Sequence, residues 1–143
     1  MKGKNGVPVE VVIKTESRQF DDINQHLFED EGRFVEMNNS YYIRFEEEYQ
    51  HTKVPVMVKI TDDKRVNLIR YGEHKTNLLF DGNEPTYTKL NTPAGIAQIT
   101  VDTNHLNIAI KDQPLSGEIF IQYELEMNQQ KLGSYQIELR FTT

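Results

Sequence analysis

Apolar residues recur at every second position over most of this chain, and a period of two is the mark of half-buried β-strands. Val7, Val9, Val11 and Ile13 form one such series, and Tyr41, Ile43, Phe45 and Tyr49 another. Val54, Val56, Val58 and Ile60 follow directly; Leu106, Ile108 and Ile110 come later. Ile119, Ile121, Tyr123, Leu125 and Met127, then Tyr135, Ile137, Leu139 and Phe141, close the pattern. Turn residues separate them: Asn38-Asn39, Asp62-Asp63, Asp81-Gly82-Asn83, Asn104-His105 and Gln129-Gln130. Asn, Asp and Gly tolerate the left-handed backbone of tight turns. No segment carries a long helical stripe, a repeat or a linker.

The alternation predicts about ten strands, near 7–17, 25–36, 41–49, 54–61, 65–71, 86–91, 95–103, 106–111, 117–128 and 132–142. Residues 18–25 suit a helical turn, and Leu78-Leu79-Phe80 a short extra strand. Many strands joined by short turns make an antiparallel meander. A flat meander leaves two bare edges, and closure removes them. The expected architecture is therefore all-β: one domain over residues 1–143, a closed or nearly closed antiparallel barrel of about eight to ten strands.

The chain has 143 residues, enough for one core, with 37% hydrophobic and 27% charged residues, as in a globular protein. The net charge of −6 disfavours nucleic acid and anionic membrane as partners, because both want a concentrated positive field. Cysteine is absent, which removes disulfides, thiolate catalysis and Cys-based zinc. The basic start from Met1 to Gly6 precedes a segment too short and polar for a signal-peptide core. No apolar run is long enough to span a bilayer as a helix. The expected compartment is the cytoplasm.

Matching apolar faces sets hairpin registers, because a slip of one residue turns every side chain over. Pairing Tyr49 with Val54 puts Phe45 opposite Val58, Ile43 opposite Ile60 and Glu47 opposite Val56. A three-residue loop at Asp62-Asp63-Lys64 pairs Ile60 with Val66, Val58 with Leu68 and Val56 with Arg70. Glu47 and Arg70 then flank the small Val56 on the inward face, roughly 10 Å apart at the backbone. Buried charge must be paired, so an interior Glu47–Arg70 ion pair is expected. It is either a plug at one barrel end or the anchor for an anionic ligand group. In the last hairpin, pairing Leu125 with Tyr135 points Tyr123 inward, where its hydroxyl needs a partner. Arg70, Glu47 and Tyr123 are thus the candidate ligand-binding residues.

Other constellations are weak. Glu46 and Glu48 face out while Glu47 faces in, so Glu46-Glu47-Glu48 does not converge on a metal. His26, His51, His74 and His105 lack ligand spacing, and His51 and His105 fall at predicted hairpin tips. Gly72, Gly82 and Gly95 are isolated turn glycines, not a phosphate loop. Ser17, Ser40, Ser116 and Ser134 have no nucleophile-elbow context. No catalytic residue, metal or cofactor is assigned.

Several segments together resemble the YwiB-like family of uncharacterised bacterial proteins. They are Glu31-Gly32, Tyr41-Tyr42-Ile43-Arg44-Phe45-Glu46-Glu47, Val58-Lys59-Ile60, Arg70-Tyr71-Gly72, Tyr87-Thr88-Lys89-Leu90-Asn91-Thr92-Pro93-Ala94-Gly95, and Gly117-Glu118-Ile119-Phe120-Ile121-Gln122-Tyr123-Glu124-Leu125. The resemblance spans nearly the whole chain and implies a calycin-like, lipocalin-type barrel in a bacterial cytosol. Glu47, Arg70 and Tyr123 match the family's pattern, which assigns them no role. In the fatty-acid-binding branch of calycins, interior Arg and Tyr hold a carboxylate; this is an analogy of fold. Three functions stay open. One is a non-enzymatic barrel holding a small apolar, amphiphilic or anionic molecule in a central cavity of several hundred Å3. A second is a structural or protein-interaction module with a filled core, a symmetric homodimer included. A third is an enzyme, which needs a strongly shifted carboxyl or histidine in the cavity.

Overall fold

The computed structural model describes residues 6–143; the basic start at residues 1–5 lies outside the described residues. Ten strands follow one another: β1 (Val7–Gln19), β2 (Asp22–Met37), β3 (Ser40–Tyr49), β4 (Thr52–Ile60) and β5 (Val66–Tyr71), then β6 (Lys75–Phe80), β7 (Thr86–Thr92), β8 (Gly95–Lys111), β9 (Ser116–Met127) and β10 (Gln130–Thr142). They form one antiparallel sheet in the order β6-β5-β4-β3-β2-β1-β10-β9-β8-β7. Strands that are neighbours in the chain are neighbours in the sheet, with one exception. β6 and β7 meet without a ladder, so the barrel is nearly closed. The first and last strands, β1 and β10, pair directly, from Glu10↔Thr142 to Arg18↔Ser134.

Threonine hydroxyls bridge the β6–β7 seam. The Thr86 hydroxyl donates to the Leu79 carbonyl, and the Thr88 hydroxyl donates to the Asn77 carbonyl at 2.6 Å. Side chains thus supply donors that a backbone ladder would otherwise supply.

The period-two residues face inward as expected. Val9, Val11 and Ile13 are at most 3% exposed, and Ile43, Phe80 and Phe141 are fully buried. Phe34 stacks on Phe141 with ring centres 5.1 Å apart. Gly117 lies under that ring: a Cβ there would come within 2.5 Å of Phe141 Cζ, so only glycine fits.

The turns correct four local expectations. Residues 18–25 form no helical turn: a two-residue turn at Phe20-Asp21, with Phe20 at φ 56°, joins β1 to β2. Gln50 and His51, both at positive φ, make a two-residue hairpin that pairs Tyr49 with Thr52. This moves the β3–β4 register by two residues, so that Phe45 faces Val56 and Glu47 faces Val54. Asn128 and Gln129 also turn in two residues, and a bulge between Lys131 and Gly133 adds one more residue to β10; together they pair Tyr123 with Tyr135, two residues from the expected register. A shift of two preserves every face, so the inward set survives both corrections. The β4–β5 pairing, Ile60↔Val66 and Val56↔Arg70, stands as read.

The fourth correction concerns Asn104-His105. This is no turn, and His105 is at no hairpin tip. β8 runs straight through with a bulge between Thr103 and His105. The extra residue flips the phase, so Ile99, Val101 and Thr103 face inward before the bulge and Leu106, Ile108 and Ile110 after it. A phase break looks like a strand end when only alternation is read. Leu78-Leu79-Phe80 belongs to a true strand, β6.

The seam yields a prediction. Thr88→Val keeps the shape but removes the bond to Asn77, and should lower unfolding free energy by about 0.5–1.5 kcal/mol in a denaturant titration. Unchanged stability would show that the seam holds without its hydroxyls.

Candidate functional site

Glu47 sits on β3 between two outward glutamates and turns inward, fully buried. Arg70, on β5, reaches it diagonally across β4. The Arg70 Nε donates to Glu47 Oε1 at 2.8 Å, and its Nη2 donates to Oε2 at 3.3 Å. The Tyr49 hydroxyl donates to the same Oε1 at 2.8 Å. The two-residue register shift is what makes the contact diagonal, with Val54 and Val56 as the small residues underneath.

The electrostatics follow from burial. Desolvation works against the Arg70 cation, but the hydrogen bonds and charge of Glu47 hold its pKa above the ordinary value. Burial pushes the Tyr49 phenol up to about 12, assisted by its bond to Glu47. Burial also pushes Tyr123 up to about 12, against the opposing charge of Arg70. Tyr123 points inward on β9, 6% exposed, with its ring 4.6 Å from Phe80 and 5.1 Å from Tyr135. The three candidate residues therefore share the barrel interior, Arg70 within electrostatic range of both others.

Their hydrogen bonding is incomplete. Arg70 also bonds with the Tyr49 side chain, whereas the Tyr123 hydroxyl makes no hydrogen bond to a described residue. Thr103, cross-strand neighbour of Tyr123 and 8% exposed, has a buried Oγ1 without a partner. Thr103 continues the alternation of Ile99 and Val101, but only the pairing of β8 with β9 sets it beside Tyr123. The other buried carboxylate, Asp81, is fully accounted for: Arg65 Nε lies 3.1 Å away, and the Asn83 N–H donates at 2.9 Å.

Of these residues only Tyr123 borders the cleft at this part of the wall, and Arg70 and Thr103 do not line it. That cleft, of about 260 Å3, touches Tyr123 and Tyr135, with Arg18, Asn104 and Gln122 on its walls. Larger clefts follow the splits in the wall. One of about 520 Å3 runs along the β6–β7 seam beside Asn77, Tyr87 and Lys89. One of about 750 Å3 lies where β2 and β3 part, between Asp30, Arg33, Arg44, Glu46 and Pro55.

That second split has a charge pattern. The β2–β3 ladder covers only Met37↔Ser40 to Arg33↔Arg44. Continued in register, its next outward pairs would be Glu31 with Glu46 and Glu29 with Glu48. The ladder already holds one like-charged pair, Arg33 with Arg44, and two more in succession would add to the repulsion. The strands part there, and Asp30 Oδ2 accepts the Glu46 N–H at 2.9 Å in place of a backbone carbonyl. Phe28 and Tyr49 close the inner side edge to face, 5.1 Å apart. On the far wall, carboxylate oxygens of Asp102, Glu124 and Glu126 lie within 4.8 Å of one another, half-buried. Lys131 Nζ sits 2.8 Å from Glu124, so this acidic face carries its own counter-ion.

Two predictions follow from the buried pair and its tyrosines. Arg70→Met strands Glu47 and should cost about 3–5 kcal/mol, whereas Glu47→Leu with Arg70→Met should recover most of it in a denaturant titration. A single variant within about 1 kcal/mol of wild type would contradict the buried pair. Both tyrosines ionise later in the folded state than the ordinary value of about 10. Their contribution to stability is whole below about pH 10 and is lost as pH rises towards about 12, because only the unfolded chain ionises in that window. Tyrosinate absorbance should show late steps among the seven tyrosines, one lost in Tyr49→Phe and one in Tyr123→Phe.

No helix among the described residues is long and apolar enough to cross a membrane. No curated protein is similar enough in sequence to be matched to the chain. The crystal structure of YwiB protein from Bacillus subtilis superposes with a TM-score of 0.79 over 97% of this chain and 93% of that one, at 19% identity. At that identity the likeness shows a shared fold. The family model described as "Domain of unknown function (DUF1934)" matches residues 11–139, nearly the whole barrel, and the chain belongs to that family.

Proposed function

We propose that the chain is a non-enzymatic binding barrel of the bacterial cytoplasm, of the calycin kind, which holds a small amphiphilic anion by its head group at Arg70. One observation carries this. Near the partly exposed Arg70 guanidinium, the buried Thr103 hydroxyl has no partner, and Tyr123 lies directly across the strand from it. Buried polar groups are nearly always satisfied, and exceptions mark a missing acceptor. A carboxylate or similar oxyanion accepts from all three donor types. Glu47, braced by Tyr49, then serves to hold Arg70 in place by its Nε and Nη2.

The alternative, an interaction module with a filled core, draws support from the β1–β2 hairpin, where Phe20 is 99% exposed and Leu27 60%. The two readings use different parts of the molecule.

Dodecanoate and dodecanol test the first, because they share a tail and differ in charge. Calorimetry should show dodecanoate bound at least tenfold more tightly. Tyr123→Phe should weaken dodecanoate by about tenfold or more, the worth of one hydrogen bond to a charged group, and leave dodecanol unchanged. Equal affinity for the two, or none for either, would sink the head-group site.

A further inference from the structure

The β1–β2 hairpin outruns its neighbour on one side. β3 stops at Tyr49, beside Phe28 of β2, while β2 continues down to Asp22. Residues 22–27 of β2 therefore pair with β1 on one side and with no strand on the other. Backbone donors and acceptors along that side are open to another chain. The same stretch exposes apolar side chains: Phe20 at the tip, and Ile23 and Leu27 on one face, 56% and 60% exposed. A bare edge with apolar side chains beside it is the surface to which an extended segment adds as a strand.

Charge selects the occupant. Asp21, Asp22, Glu29 and Glu31 lie along this edge, and Glu46 and Glu48 face it across the split. The hairpin's own cations, Lys14 and Arg18, stand one strand back on β1, and Arg18 lies 3.5 Å from Glu16. A second copy fits poorly. Two β2 edges paired antiparallel so that Ile23 meets Leu27 set Asp21 opposite Glu29 in both halves. Such pairs repel. A basic segment meets the same carboxylates with attraction, and its apolar residues cover Ile23 and Leu27.

We infer that the free edge of β2, residues 22–27, receives an extended basic polypeptide segment of a partner protein as an added strand, with Glu29 and Glu31 as flanking carboxylates. The inference rests on the interaction reading and is independent of the Arg70 site. The probe is a ten-residue peptide of alternating lysine and valine, with a glutamate–valine peptide as control. Fluorescence anisotropy of the labelled peptide should show saturable binding that weakens as salt rises. Amide exchange in the full protein should slow over residues 22–27 and stay unchanged along β6 and β7, the other open edges. Ile23→Thr with Leu27→Thr, and separately Glu29→Lys with Glu31→Lys, should each weaken the peptide at least tenfold. Both pairs lie on the surface and should leave dodecanoate binding as in wild type, so failure here is separable from failure of the head-group site. Equal binding of the acidic peptide, or protection elsewhere than β2, would overturn the inference. So would a wild-type dimer in sedimentation equilibrium protected over the same residues, which would make the occupant a second copy.

Discussion

A backbone amide or carbonyl buried without a partner costs about as much as a lost hydrogen bond, so each strand must find a neighbour on both sides or answer for the bare edge. Ten antiparallel strands meet that demand by curling until β1 pairs with β10. Where the ladder fails, something else stands in. At the β6–β7 seam the stand-ins are Thr86 and Thr88 hydroxyls. At the β2–β3 split it is the Asp30 carboxylate on the Glu46 N–H. The clefts of the wall lie along these same joints, because a missing ladder leaves strands free to part.

The interior obeys a second constraint. Glu47 cannot stay ionised in an apolar barrel without a counter-charge, and Arg70 and Tyr49 supply it with three hydrogen bonds. A pair of this kind adds little net stability compared with two apolar residues. What it does provide is a guanidinium held at a set place inside the wall by Glu47.

Much of this was legible in the chain. Alternation named the strands and their inward faces, and Glu47, Arg70 and Tyr123 fell inside because their parity matched that of Phe45, Leu68 and Ile121. Two hairpin registers came out two residues off. Turn length decides register, and Gln50-His51 and Asn128-Gln129 turn in two residues without the glycine that usually marks such turns, the second followed by a bulge between Lys131 and Gly133 that restores the faces. The bulge in β8 was illegible for a related reason: an inserted residue changes phase in the same way as a strand end does, and only the partner strand β9 shows that pairing continues.

By itself the sequence determined strand identity, the two faces of each strand and the need for an interior ion pair, since these depend on side-chain parity and on the cost of buried charge. Tertiary structure decided the rest. Which strands lack partners, where Thr103 and Tyr123 are left without acceptors, and how far the β1–β2 hairpin projects are all relations between strands distant in the chain. No local pattern encodes them, because they arise from ladder closure, in which each register is set against its neighbours' registers around the barrel.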